Sequence, residues 1–134
     1  MDFITKSEPR TTIPRTSVPK EHAEHVTFVA EFRKRWPAHR IFAIPNGEYR
    51  SPTVAVRLQR EGVSAGVPDL YIPEWRVWVE MKRSKGGRVS EEQKAWHDYL
   101  VHRCNDAVII AKGWKDGIEQ CAALFEPNRI YEHE

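Results

Sequence analysis

Segments of helical periodicity alternate with short β-prone runs along this chain, and this alternation constrains the fold more than any other feature. Apolar residues spaced three and four apart favour amphipathic helices, and short runs of β-branched and aromatic residues favour strands. The predicted helices cover residues 20–36, 52–61, a segment starting after Ser90 and a segment stopping at Pro127, and the predicted strands cover 41–44, 70–72, 76–82 and 107–111. This order predicts an α/β fold with a central mixed sheet flanked by helices.

The length of 134 residues fits one domain, predicted over residues 20–126. Residues 1–19 contain three prolines and little apolar periodicity, which predicts an extended or flexible arm, and residues 127–134 form a short tail. With 30% charged residues and no apolar run of bilayer length, the composition excludes a membrane protein. The N-terminus lacks the apolar stretch of a secretory signal, so we expect an intracellular protein, cytoplasmic or nucleoid-associated.

Cysteine and histidine give no sign of a disulfide framework or a zinc site. Cys104 and Cys121 belong to no CxxC motif, and we expect both to be reduced packing residues. The six histidines are scattered, and the pair His97 and His102 has no third ligand close in sequence.

Positive charge is concentrated in the middle of the chain, although the net charge is only +2. The balance is −1 over residues 1–32, +7 over residues 33–88 and −4 over residues 89–134. A positive block of this kind fits either a phosphate backbone or a solvated basic face.

The predicted strand 76–82 carries side chains with catalytic potential on one of its faces. Because side chains alternate along a strand, Glu80 and Lys82 share one face with Trp78, and the hairpin brings Asp69 beside Glu80. Two close carboxylates repel unless a cation lies between them, and oxygen ligands favour Mg²⁺, with Mn²⁺ as a substitute. Lys82 can orient the attacking water and stabilise charge on a phosphate. The alternative is a surface salt-bridge cluster at a sheet edge.

A second ExK motif, Glu92-Gln93-Lys94, falls on a predicted helix. Helical residues two apart point in different directions, so these charges are not expected to share a site.

Trp78, on the face of Glu80, is expected to stack on a base or to form a wall of the site.

Together these motifs resemble the VRR-NUC branch of the PD-(D/E)xK nucleases over about residues 21–125. The resemblance is carried by Pro68-Asp69 with Glu80-Met81-Lys82, by residues 44–47 and 61–70, and by Lys82-Arg83 through Gly86-Gly87-Arg88 with Ser90 and Gln93. It implies a restriction-endonuclease-like core, the metal ligands Asp69, Glu80 and Met81, and DNA cleavage that depends on a divalent metal. Compact members of the family are associated with homodimers that cut branched DNA such as four-way junctions.

The family also places an acidic residue on the first helix, where Glu21 and Glu24 compete for that role. Glu21 projects towards the inward arc of the helix and is preferred, although both acids also suit a first helical turn. His25 stands where family proteins often have glutamine. Gln93 matches the family glutamine, and it also completes a capping box with Ser90.

The predicted function is a structure-selective, Mg²⁺-dependent DNA endonuclease. The predicted phosphate contacts are Asn46, Arg50, Arg57, Arg83, Lys85 and Arg88. The alternatives are a nonspecific nickase, a nuclease module that needs a helicase or another repair or replication partner, and a catalytically silent DNA-binding module.

Overall fold

The computed structural model describes residues 18–45 and 51–126 of the chain. Its helices are α1 (Val18–Arg35), α2 (Pro52–Arg60), α3 (Glu91–His102) and α4 (Trp114–Phe125), and its strands are β1 (Phe42–Ala43), β2 (Leu70–Ile72), β3 (Val77–Lys82) and β4 (Ala107–Lys112). In this part of the chain, none of the helices combines the length and apolar composition that a membrane span requires.

The four strands form one mixed sheet in the order β1-β2-β3-β4. Strands β1, β2 and β3 run antiparallel, and β4 lies parallel to β3 because α3 forms the crossover between them. The predicted α/β class, with a mixed sheet flanked by helices, is confirmed.

The hydrophobic core lies between one face of this sheet and the helices α1 and α4. Val77, Val79 and Met81 of β3 point into it, where they pack with Phe28 and Phe32 of α1. Side chains alternate along a strand, so Trp78, Glu80 and Lys82 point to the opposite face. Helix α3 packs against β4, and its contacts with Glu80 place it on that opposite face.

A tight connection sets the register of the β2–β3 hairpin. Residues Pro73–Trp75 form a single 3-10 turn, and Arg76 follows in the left-handed region with a φ of 57°. The predicted hairpin is confirmed, and β3 begins one residue later than predicted because Arg76 belongs to this turn.

The structure differs from the predictions mainly at element ends and on two helix faces. Helix α1 begins at Val18, two residues before the predicted start. Helical spacing predicts Val26 on the same face as Phe32 and Trp36, but Val26 is exposed. The buried residues are Phe28 and Phe32 of α1 and Trp36, which directly follows it. The helical spacing of Trp96, Tyr99 and Leu100 predicts that all three lie on the buried face of α3, but only Leu100 is buried and Tyr99 is 49% exposed. The tail from residue 127 and most of the predicted arm lie outside the described residues.

Candidate active site

The hairpin register brings the two predicted carboxylates together. Leu70 pairs with Val79 across the β2–β3 ladder, and continuing this register by one residue places Asp69 opposite Glu80. The Met81 backbone N–H donates to Asp69 Oδ2 at 2.8 Å, and the Ile44 N–H donates to the Asp69 carbonyl at 2.8 Å. Asp69 is therefore held by both neighbouring strands, with its side chain turned towards β3.

Glu80 is buried at the centre of this site, with only 1% of its surface exposed. Its carboxylate has a partner on α3 at each oxygen. Gln93 Nε2 donates to Glu80 Oε2 at 3.0 Å, and His97 Nε2 lies 3.2 Å from Glu80 Oε1. In its Nε2–H tautomer the His97 ring donates to the carboxylate, so α3 fixes both oxygens of Glu80.

Gln93 connects the lysine of the motif to the same network. Its Oε1 accepts from Lys82 Nζ at 3.0 Å and from the Ser90 backbone N–H at 2.8 Å, while the Gln93 N–H donates to Ser90 Oγ at 3.1 Å. Gln93 completes the capping box of α3, as predicted, and it also bridges Lys82 to Glu80.

An open cavity of about 390 Å³ lies over the carboxylates. It is bounded by the start of α1, the segment before β2 and the first turn of α3, and its lining residues are Glu21, Ala65, Gly66, Val67, Asp69, Glu80, Ser90, Glu92 and Gln93. A ligand that enters this cavity would meet four carboxylates, from α1, the segment before β2, β3 and α3.

The structure places the two candidate acids of α1 in different surroundings. Glu21 lines the cavity with Asp69 and Glu80. Glu24 instead accepts a 2.6 Å hydrogen bond from the Trp114 backbone N–H at the start of α4. Glu24 thus satisfies an open amide at a helix N-terminus, which is a structural role.

Burial and the neighbouring carboxylates perturb Glu80 strongly. Desolvation, followed by the charge of Asp69 and a hydrogen bond with it, raises the pKa of Glu80 from 4.5 to about 9, against the opposing effect of Lys82. Glu21 contributes a further increase. The charge of Lys82 alone does not keep Glu80 ionised at neutral pH, so ionisation of Glu80 requires a further positive charge close to it.

His97 belongs to this site, although its sequence context predicted no role for it. Burial, and then the charge of Lys82, lowers the pKa of His97, so its ring is neutral at neutral pH. The spacing held a signal for it, because His97 follows Gln93 by four residues and the two therefore share a face of α3. That signal depends on knowing that the Gln93 face covers the strand that carries Glu80.

The predicted phosphate contacts fall into three groups. Arg83, Lys85 and Arg88 lie in the loop that leads from β3 to α3, but none of the three lines the cavity. At Gly87 an added Cβ would lie 2.9 Å from Lys82 Cβ, which shows how closely the loop approaches the lysine. Arg57 lies on α2, next to Glu61, and does not line the cavity. Asn46 and Arg50 lie outside the described residues.

Gly66 allows the segment before β2 to form a wall of the cavity. It has a φ of 93°, and a Cβ at this position would lie 2.6 Å from the backbone carbonyl of Glu92. Only glycine permits both this backbone conformation and this approach to α3.

The remaining candidates occupy surface and supporting positions. Trp78 lies on the face of Glu80, as predicted, but its indole N–H donates to Asp106 at 2.9 Å and it does not line the cavity. The second ExK motif lies on α3, where Lys94 pairs with Glu91 at 3.7 Å. Lys94 is therefore not part of the site that contains Lys82.

The donor set fits a divalent cation that keeps several water ligands. Within residues 18–45 and 51–126, no group of three or more His, Cys, Asp or Glu side chains could enclose a metal ion. Mg²⁺, however, is commonly held by one or two carboxylates together with water and substrate phosphate. Asp69 and Glu80 provide such a pair. The Met81 side chain lies in the core, so this residue could act as a ligand only through its backbone carbonyl.

The fold and site define an α/β protein with a buried carboxylate, a second carboxylate and a lysine on one face of its central strands β2 and β3. No protein-family model matches the chain. Searches of curated proteins and of solved structures also found no match.

Proposed function

We propose that the chain is a divalent-metal-dependent endodeoxyribonuclease that hydrolyses phosphodiester bonds, with branched DNA such as four-way junctions as its substrate. The observation that carries this proposal is the convergence of Asp69, Glu80 and Lys82 on one face of the sheet, beside an open cavity. The motif resemblance to VRR-NUC nucleases, with their restriction-endonuclease-like core, supports it.

Each side chain has a role that follows from its surroundings. Asp69 and Glu80 would hold Mg²⁺ or Mn²⁺, and a divalent ion bound there would polarise a phosphate oxygen and activate a water molecule as a nucleophile. Lys82 is 8% exposed and is held by Gln93, so its ammonium lies fixed beside the carboxylates. It orients the attacking water and stabilises the charge that develops on the phosphate. Glu21 lines the same cavity and would be a further carboxylate for a bound divalent ion.

A nuclease must also hold a polyanion close to two carboxylates. The loop of residues 83–88 supplies Arg83, Lys85 and Arg88 next to Lys82, on the side of the site where α3 begins. Phosphates bound by this loop would offset the repulsion between the DNA backbone and the acidic cavity.

The proposal is tested by cleavage of single-stranded, duplex, flap and four-way DNA, with Mg²⁺ and with EDTA. We expect cleavage with Mg²⁺ or Mn²⁺, none with EDTA, and inhibition by Ca²⁺, whose looser coordination holds DNA without supporting the reaction. Asp69→Ala, Glu80→Gln and Lys82→Ala should each lower kcat by about 100-fold or more. The matched control is Lys94→Ala, which removes the lysine of the second ExK motif.

The outcomes separate the candidate functions. Full activity in EDTA, or folded Asp69 and Glu80 variants that cut at the wild-type rate, would refute the metal mechanism. DNA binding without cleavage would favour the silent binding module, and cleavage only after addition of a helicase would favour the partner-dependent module.

Symmetric cutting of a four-way junction needs two active sites, and a homodimer supplies them by two-fold symmetry. Light scattering at micromolar concentration, combined with a cruciform plasmid assay, tests this part of the proposal. A monomer that nicks plain duplex as readily as the cruciform would leave the nuclease chemistry intact and exclude the junction-resolving role.

A further inference from the structure

Three aromatic side chains form a continuous row across the sheet, one from each of the antiparallel strands. Phe42 pairs with Tyr71, and Tyr71 pairs with Trp78, so all three lie on the same face. The ring centroids of Phe42 and Tyr71 are 5.8 Å apart, and those of Tyr71 and Trp78 are 4.2 Å apart. We call these three residues the aromatic row.

The aromatic row is both accessible and fixed in place. Phe42 is 51% exposed, and Tyr71 and Trp78 are partly exposed. At the inner end, Trp78 is anchored by its hydrogen bond to Asp106. Asp106 also binds the Arg76 guanidinium, with a shortest contact of 2.7 Å. This pairing balances the Asp106 charge, so the end of the row presents no unpaired carboxylate to an approaching polyanion.

The row lies next to the proposed catalytic groups along the same two strands. Asp69 precedes Tyr71 by two residues, and Glu80 follows Trp78 by two residues. Two residues of a strand span about 7 Å. The aromatic row and the carboxylate pair are therefore adjacent on the same face of the sheet, which is the face opposite the hydrophobic core.

We propose that the aromatic row is a nucleobase-stacking platform, which makes DNA with unpaired, unstacked bases beside the scissile phosphate the preferred substrate class. This inference rests on the proposed nuclease function. Paired bases inside a duplex already stack on their neighbours and do not offer their faces to a protein surface. Bases in single strands and at branch points can be splayed onto aromatic side chains.

The position of the row favours a nucleotide over other flat or apolar ligands. A base belongs to the same chain as its phosphate and lies several ångströms from it, so one bound strand can contact both adjacent rows. The basic loop of residues 83–88 follows β3 directly beyond Lys82. One DNA strand can therefore contact basic, catalytic and aromatic side chains in succession, which combines phosphate contacts with stacking in the way that single-stranded DNA sites do.

The test measures DNA binding by fluorescence anisotropy in Ca²⁺, with the full chain. The probes are a single-stranded oligonucleotide, a same-length strand of abasic deoxyribose phosphates, and a blunt duplex. We expect the base-bearing strand to bind the most tightly. Phe42→Ala and Tyr71→Ala should each weaken its binding by roughly tenfold, as the loss of a base stack implies.

Two controls keep the proposal falsifiable. Tyr71→Phe keeps the ring and should bind normally, which separates stacking from a folding defect in Tyr71→Ala. Tyr99→Ala removes an aromatic ring from α3 that is 49% exposed, close to the 51% of Phe42. This substitution should leave binding unchanged.

The result that overturns the proposal is equal affinity for the base-bearing and abasic strands, or wild-type affinity in both Phe42→Ala and Tyr71→Ala. If these two variants instead shift the oligomeric state in light scattering and leave DNA affinity unchanged, the row is a contact between copies, and the stacking proposal is wrong. A wild-type protein that cuts DNA in Mg²⁺ without base dependence refutes only the platform. A protein that binds bases through the row and never cuts refutes only the nuclease.

Discussion

The surroundings of Glu80 differ from those of an ordinary buried carboxylate. An ionised carboxylate in an apolar interior is costly, and structural carboxylates are usually paired directly with a cation. Glu80 instead contacts the neutral groups Gln93 and His97, and lies beside Asp69. This arrangement suits a group that completes its charge balance only when a cation binds.

In the metal-free protein, stability should depend on pH through Glu80. Because the pKa of Glu80 is about 9 in the folded state and 4.5 as its ordinary value, the folded state holds a proton that the unfolded state releases. The free energy of unfolding should therefore fall as the pH rises from about 4.5 towards 9. Glu80→Gln should remove this part of the decline, as measured by urea unfolding in EDTA.

Glu92→Gln is the matched control, since Glu92 lines the same cavity on the exposed side of α3. The free energies of unfolding of Glu80→Gln and of the wild type are compared between pH 4.5 and about 9. If they change in parallel over this range, the assigned ionisation of Glu80 is wrong.

His97 is a positioning residue, because it acts on the proposed reaction only through Glu80. Partners behind metal ligands commonly change metal affinity by about 10- to 100-fold. We expect His97→Ala to weaken Mn²⁺ binding, measured by calorimetry, by about tenfold or more. His97→Gln can donate a hydrogen bond from a similar position and should restore much of the affinity.

His102→Ala provides the control on the same helix, at an exposed position. If His97→Gln binds Mn²⁺ as weakly as His97→Ala while both variants unfold at the same urea concentration, the hydrogen bond to Glu80 has no role in orienting the carboxylate.

At the scale of elements, the start of α3 has two tasks. Its capping box satisfies open backbone amides of the helix, and its third residue, Gln93, reaches Glu80 and Lys82. The helix start and the site therefore share a side chain. Any shift of α3 relative to β3 would change the distances from Gln93 to both Lys82 and Glu80.

The segment before β2 packs against this helix start at Gly66. Gly66→Ala places a Cβ against the Glu92 backbone at 2.6 Å, so either the segment or α3 must move. We expect the substitution to lower the free energy of unfolding by about 2 kcal/mol or more and to reduce cleavage clearly. Urea unfolding and the cleavage assay measure the two effects.

Gly62→Ala is the matched control, because Gly62 also has a positive φ, 106°, but an added Cβ there meets nothing within 4 Å. It should cost only the backbone strain of about 1–2 kcal/mol and keep cleavage activity. Equal effects of the two substitutions on cleavage would show that the close approach to Glu92 does not shape the cavity.

At the scale of the whole molecule, charge is distributed so that a basic loop borders an acidic cavity. The +7 balance of residues 33–88 includes the carboxylates Asp69 and Glu80 themselves. The loop of residues 83–88 carries the positive charge that follows Lys82 directly in the chain. This pattern predicts that phosphate contacts near the site, rather than net charge, control DNA affinity.

The salt dependence of DNA binding should reveal these phosphate contacts. Arg83→Ala combined with Arg88→Ala should flatten the slope of log affinity against log salt by roughly 0.9 for each duplex phosphate that the loop no longer neutralises. Anisotropy titrations between about 50 and about 200 mM salt measure this slope.

Lys34→Ala combined with Lys115→Ala removes the same charge from α1 and α4, which cover the other face of the sheet. This control should leave the slope unchanged. A flatter slope in the control, with a normal slope in the Arg83 and Arg88 variant, would place the DNA on the helical layer.

Local sequence was sufficient to predict the elements and the central pair of the site. Periodicity and turn residues act over a few neighbours, so the strands, the hairpin and the capping box of Ser90 and Gln93 could be predicted. Since side chains alternate along a strand, the shared face of Glu80 and Lys82 followed directly, and the hairpin brought Asp69 to it.

The surroundings of Glu80 and Lys82 depend instead on tertiary packing. The crossover of α3 placed His97 on Glu80 and left Tyr99 exposed, and the packing of α1 against α4 assigned Glu24 to Trp114 and left Glu21 at the cavity. The aromatic row likewise needs the pairing of β1 with β2. These arrangements depend on contacts between residues far apart in the chain. Local periodicity does not determine which face of a helix or strand makes such a contact, or with which partner.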